Sequence, residues 1–161
     1  MFQVEQYTGT KPEQYQSVSK QLAALIAGEP NRIANLSNAS ALLNVFLDHI
    51  NWVGFYLYEE DTRQLVLGPF QGLPACIRIP LGRGVCGKAA EEQQVMRIAN
   101  VHDFPGHIAC DAASQSEIVL PIVKDGRLIG VLDIDSPILD RFDEEDEAGL
   151  KQIVSILESA L

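Results

Sequence analysis

The hydrophobic spacing of this chain changes period twice, and that pattern limits what it can fold into. Before Trp52, apolar residues recur at helical spacing. From Trp52 to Asp135 they come in short β-branched and aromatic runs broken by turn residues. After Asp143 the helical spacing returns. Thr10-Lys11-Pro12-Glu13 has the form of a capping box with proline in the first turn. Tyr15, Val18, Leu22, Leu25 and Ile26 follow, until Gly28-Glu29-Pro30 stops the helix. Asn31 is placed to cap a second helix with Ile33, Leu36, Leu43, Phe46 and Ile50 on one face. Asp143 is placed to cap a last one, with Leu150, Ile153, Val154, Leu157 and Leu161 as its apolar stripe. These helices read as scaffold.

The middle block reads as strands Trp52–Tyr58, Gln64–Phe70, Ala75–Ile79 (carrying Cys76), Val95–Ile98, Glu117–Val123 and Leu128–Asp135. A short helix, Gly84–Gln93, interrupts them, and Asp125-Gly126 marks a hairpin. The expected class is therefore α+β: about six strands in a mainly antiparallel sheet, flanked by N- and C-terminal helices. At 161 residues with 47% apolar composition, residues 1–161 suffice for one domain with a proper core. A net charge of −10 speaks against nucleic acid and against anionic membranes. The opening Met1-Phe2-Gln3-Val4-Glu5 has no basic, apolar leader pattern, and no apolar run is long enough to span a bilayer, so a cytoplasmic location is expected.

Chemistry concentrates between Leu67 and Asp135, which holds all three cysteines. Cys86 falls in the first turn of the short helix, behind Gly82-Arg83-Gly84. A helix N-terminus and a nearby arginine both favour a thiolate, and the same turn suits an anion such as a substrate carboxylate. Cys110 lies in a long loop, Asn100–Ser116, between His107 and Asp111. His107-x-x-Cys110 has no second pair to match it, so a zinc ribbon is not expected, and the sequence calls for no metal and no cofactor. Strand alternation puts Ile129, Val131, Asp133 and Asp135 on one face, with Leu128, Gly130, Leu132 and Ile134 on the other. The two carboxylates are about 7 Å apart along the strand. Such acids sit at a wet strand end or hold a cation. Glu117 begins the neighbouring strand. A two-residue turn at Asp125-Gly126 sets it opposite Ile134, off the aspartates' face, whereas a bulge near Pro121 brings it round, and both registers stay open. Trp52, at a strand start, suits either a core or a pocket wall.

Gly68-Pro69-Phe70-Gln71-Gly72, Ala75-Cys76, Gly82-Arg83-Gly84-Val85-Cys86-Gly87, His107-Ile108-Ala109-Cys110-Asp111, Ser116-Glu117-Ile118-Val119-Leu120-Pro121 and Gly130-Val131-Leu132-Asp133-Ile134-Asp135-Ser136 together resemble the free methionine-(R)-sulfoxide reductases, a GAF-domain family. The resemblance runs from about Ala34 to the C-terminus. It implies a GAF-like fold and thiol-dependent reduction of free L-methionine (R)-sulfoxide. The position of Cys110 would be the nucleophile and that of Cys76 the resolving thiol. The sulfenic acid would close to an intramolecular disulfide that thioredoxin reduces. It leaves the role of Cys86 less defined, whereas the residues alone favour Cys86 as the low-pKa thiol. Asp133, Asp135 and Glu117 would take the substrate's ammonium, or supply a proton, and Trp52 would pack on its methyl group. Pairing through the terminal helices, as GAF domains do, implies a homodimer. The alternative reading is a GAF-type sensor module that binds a small ligand and has no need of thiols.

Overall fold

A computed structural model describes residues 2–161. The chain runs α1 (Lys11–Ile26), α2 (Arg32–Phe46), β1 (Trp52–Glu59), β2 (Gln64–Gly72), β3 (Arg78–Pro80), α3 (Gly84–Glu92), β4 (Met96–Ile98), a 3-10 turn (Val101–Asp103), β5 (Ser116–Lys124), β6 (Arg127–Ser136) and α4 (Glu144–Ala160). The strands form a six-stranded antiparallel sheet in the order β3-β2-β1-β6-β5-β4, so the α+β expectation holds.

The three long helices start where their caps say they should. The Glu13 carboxylate accepts from the Thr10 amide at 2.9 Å while Thr10 Oγ1 accepts from the Glu13 amide at 3.4 Å. Asn31 accepts from the Ala34 amide at 2.9 Å, and Asp143 and Asp146 cap each other at 2.9 and 3.0 Å. These helices cover one face of the sheet. Val53 and Phe55 of β1, Ile118, Leu120 and Ile122 of β5, and Leu132 and Ile134 of β6 pack there against Leu22, Leu36, Leu43, Leu150, Ile153 and Leu157. Each such side chain contributes roughly 1.5–3 kcal/mol on burial. The α4 stripe from Leu150 to Leu157 is thus taken up by the chain's own core. The α2 stripe is narrower than its spacing suggested: Ile33 is 53% exposed, and Ile50 lies beyond the helix end. A polar knot ties the first helix to the last. The buried Asp146 carboxylate accepts from the Tyr15 hydroxyl at 2.7 Å and pairs with Lys11 at 3.1 Å and Arg141 at 3.2 Å.

The other face of the sheet carries the site. Trp52 and Tyr56 of β1, Leu65 of β2, Ile79 of β3, Val119 of β5 and Val131 of β6 pack under α3, through Val85, Cys86, Ala89 and Ala90. The hairpin at Asp125-Gly126 forms as expected, Lys124 pairing with Arg127. A register shift then follows. Val123 pairs with Leu128 but Ile122 pairs with Gly130, leaving Ile129 as an extra residue on β6. The shift corrects the simple alternation: Ile129 joins the core under the long helices, while Leu128 joins Val131 on the pocket face.

Candidate active site

The β6 bulge decides which acids meet. Beyond it, Glu117 pairs with Asp135, and Asp135 pairs with Trp52 on the far side. Trp52, Asp135 and Glu117 therefore form one row across three strands, facing the same side, with Asp133 one step further in. Of the two registers open from the sequence, the structure has the bulged one. All four residues line one pocket with Tyr56, Arg83, Cys86, His107 and Cys110. Trp52 is 3% exposed and belongs to the wall: its indole stacks on Phe70 at 5.2 Å and Tyr56 at 5.9 Å, and Nε1 donates to the Leu73 carbonyl at 3.1 Å.

α3 enters the pocket by its N-terminus. Gly82 and Gly84 have φ of +82° and +62°, a turn that L side chains adopt at a cost, and a Cβ on Gly84 would crowd Ile108 at 3.0 Å. This turn brings the start of α3, whose first-turn amides have no intrahelical acceptor, to the pocket wall at Arg83, Gly84 and Val85.

Cys86 is a free buried thiol. Its Sγ lies 3.8 Å from Glu117 Oε1. Burial pushes this thiol well up, and the Asp133 and Glu117 charges push it further, so the helix N-terminus is outweighed. The expectation of a low-pKa Cys86 is thereby overturned. Burial also lifts Glu117 and Asp135 well above the usual carboxylate range, each helped by the charge on Asp133. Burial raises Asp133 to about 6, with hydrogen bonds from Glu117 and Cys86 opposing the rise. Asp133 Oδ1 is buried without a hydrogen-bond partner among the described residues. Among the described residues no lysine or arginine forms an ion pair with Glu117, Asp133 or Asp135. The nearest basic group is His107, whose Nε2 lies 3.7 Å from Glu117 Oε2, and burial lowers its pKa toward the neutral imidazole. Three mutually repelling carboxyls with no fixed counter-charge hold protons between them, and suit a cationic guest.

Cys76 lies in the loop before β3, outside the strand expected to carry it, because β3 begins only at Arg78. It is joined to Cys110 by a disulfide with Cα atoms 5.6 Å apart. The bridge ties the β2–β3 loop to the loop before β5 at the edge of the pocket, whose cavity measures about 40 Å³. Tyr56, whose hydroxyl donates to the Cys76 carbonyl at 2.9 Å, escaped the sequence reading. So did Asn51, whose amide donates to Asp111 at 2.9 Å and Ser114 at 3.1 Å and pins the Cys110 loop. The usable signal was position: Asn51 precedes Trp52, and Tyr56 follows it on the same face. Cys86, Glu117 and Asp133 each offer one donor atom within 4.8 Å of the others, a metal-compatible grouping drawn from three elements.

The GAF domain profile matches residues 39–161. The chain is 59% identical over 151 residues to the free methionine-R-sulfoxide reductase of Escherichia coli, covering 94% of this chain and 90% of that one. It is 42% identical over 137 residues to the free methionine-R-sulfoxide reductase of Saccharomyces cerevisiae, covering 81% and 76%. The structure of free methionine-R-sulfoxide reductase from Neisseria meningitidis in complex with its substrate superposes with a TM-score of 0.95 at 43% identity, covering 99% of this chain and 95% of that one. Fold, pocket thiols and these likenesses agree, and the chain belongs to the free methionine-R-sulfoxide reductase family of GAF domains.

Proposed function

We propose that this protein reduces free L-methionine (R)-sulfoxide to L-methionine, with residues 1–161 acting as one domain. The observation that carries the reading is the Cys76–Cys110 disulfide at the edge of a pocket floored by three acids. A sensor needs neither thiol. In the reduced form the Cys110 thiolate attacks the sulfoxide sulfur. The sulfoxide oxygen passes to Cys110 as a sulfenic acid and methionine leaves. The Cys76 thiol then displaces water from the sulfenic acid and closes the disulfide, which a thioredoxin-type dithiol reopens by exchange.

The buried, proton-retaining Cys86 supports Cys110 as the attacking thiol. Burial holds Glu117 well above the usual carboxylate range, which favours its protonated form and suits it to donate to the sulfoxide oxygen. Asp133, whose Oδ1 is the buried acceptor left without a donor among the described residues, meets the substrate's ammonium, and Asp135 beside it completes the acceptor set. Trp52 covers the methyl group, and the amides at the start of α3 take the carboxylate. The recognition is of a free amino acid, since a peptide bond would remove the ammonium the acids call for.

The test is to incubate the reduced protein and a dithiol with free (R)-sulfoxide, free (S)-sulfoxide and N-acetylated (R)-sulfoxide, and to measure methionine or N-acetylmethionine formed. Turnover of the free (R) epimer alone is expected. Equal turnover of the N-acetylated compound would remove the role given to the acids. Binding without product from any of the three would favour the sensor.

A further inference from the structure

Among the described residues, the buried group of three acids and a thiol has no lysine or arginine partner, only the His107 imidazole 3.7 Å from Glu117. It has two ways to become neutral: by holding protons, or by accepting a cation from outside. The substrate's ammonium is one such cation, and the donor set fits another better. We propose that Cys86, Glu117 and Asp133 form a site for a single zinc-class divalent ion, which competes with the substrate for the pocket. The competition, though not the metal site itself, rests on the functional reading above.

Three observations carry this. The first is donor type. One sulfur and two carboxylate oxygens, with the His107 imidazole 3.7 Å beyond Glu117, is a set for zinc or cobalt, because thiolate selects against magnesium and calcium. The second is geometry. The donors come from the first turn of α3, the start of β5 and the end of β6, so the fold fixes them, and they lie within 4.8 Å of one another. Metal–ligand bonds of about 2.0–2.3 Å in a tetrahedron separate donors by roughly 3.5 Å. The 3.8 Å between Cys86 Sγ and Glu117 Oε1 is already close to that. The third is the orphan atom: Asp133 is 6% exposed, its Oδ1 is buried with no hydrogen-bond donor among the described residues, and it belongs to the same grouping.

The cavity under the disulfide, about 40 Å³, has room for an ion and ordered water. The three donors are separate from the disulfide, so metal binding is open to both redox forms, whereas turnover needs the reduced Cys110 thiol. On binding, the Cys86 proton and any carboxyl protons leave to solvent, and no electron moves, so affinity weakens in acid.

The experiment must separate this site from chelation by Cys76 and Cys110. Co²⁺ is titrated anaerobically into the Cys76→Ser/Cys110→Ser double variant, in which Cys86 is the only thiol, and into the disulfide form of the unaltered chain. The readout is the near-ultraviolet thiolate-to-cobalt charge-transfer band. One equivalent per chain is expected, displaced by Zn²⁺ and, in the double variant, by excess free methionine (R)-sulfoxide. Adding Cys86→Ser should abolish the band, and Asp133→Asn should weaken binding at least about tenfold. Absence of the band from both proteins overturns the proposal, as does a band unmoved by Asp133→Asn. A band that persists under saturating sulfoxide overturns the competition. Methionine formation by chelator-treated wild-type protein is scored separately, so failure of the metal site and failure of the reductase reading stay distinct.

Discussion

Cys110 and Cys76 divide the proposed chemistry into steps that single substitutions can separate. The first step needs one nucleophile, whereas disulfide closure needs a second thiol within reach, which the 5.6 Å Cα separation provides. Cys110→Ser should release no methionine even in a single turnover. Cys76→Ser should release one methionine per chain without reductant and then stall as a sulfenic acid that dimedone traps. Quench-flow with mass spectrometry reads both, and the reverse pattern would reassign the nucleophile. Glu117→Gln keeps the shape of the side chain and removes the transferable proton. It should lower kcat by about 100-fold or more while KM changes little, the mark of a proton donor as opposed to a binding group. The thiol chemistry was only half legible in sequence. The first-turn position of Cys86 was visible, but the acids that overrule the helix N-terminus arrive from β5 and β6, 31 and more residues later. Local electrostatics read along the chain cannot include neighbours brought by folding.

At the level of elements, the β6 bulge does the positioning. Caps and periods named all three long helices to within a residue of their starts, because those signals are local. Register is not local. One extra residue at Ile129 sets Glu117 beside Asp135 and moves Leu128 and Ile129 to faces opposite those expected. The position just after the bulge is correspondingly tight: a Cβ on Gly130 would fall inside the contact distance of the Tyr56 carbonyl. Gly130→Ala should therefore cost on the order of 2 kcal/mol in urea unfolding. By shifting β1 against β6 it should also lower activity in the fraction that remains folded. Wild-type stability in this variant would show that the β1–β6 seam is looser than it looks.

For the whole molecule, two groups of acids pull stability in opposite directions with pH. Burial raises Asp133 to about 6. A raised carboxyl contributes stability that is fully present below its unfolded value of about 4 and is lost as pH rises through about 6. Glu117 and Asp135 act in the same direction. In the knot between α1 and α4, burial pushes Asp143 up, but its bonds to Lys11 and to the Asp146 amide prevail and hold it at about 2. Its contribution is present above about 4 and is lost as pH falls through about 2. Stability should therefore peak near pH 4 to 5, where the two windows meet, and fall toward neutrality. Urea midpoints across pH check this. Asp133→Asn should flatten the neutral side and raise stability there by on the order of 2 kcal/mol, and an unchanged slope would mean the acids are already neutralised by something else. The disulfide has a kinetic meaning at this scale. With Cys110 held in the bridge, the oxidised chain has no thiolate to offer the next amino acid until a dithiol has opened it. Substrate and reductant must then take turns, each leaving before the other arrives. Double-reciprocal plots at several fixed reductant concentrations should run as parallel lines.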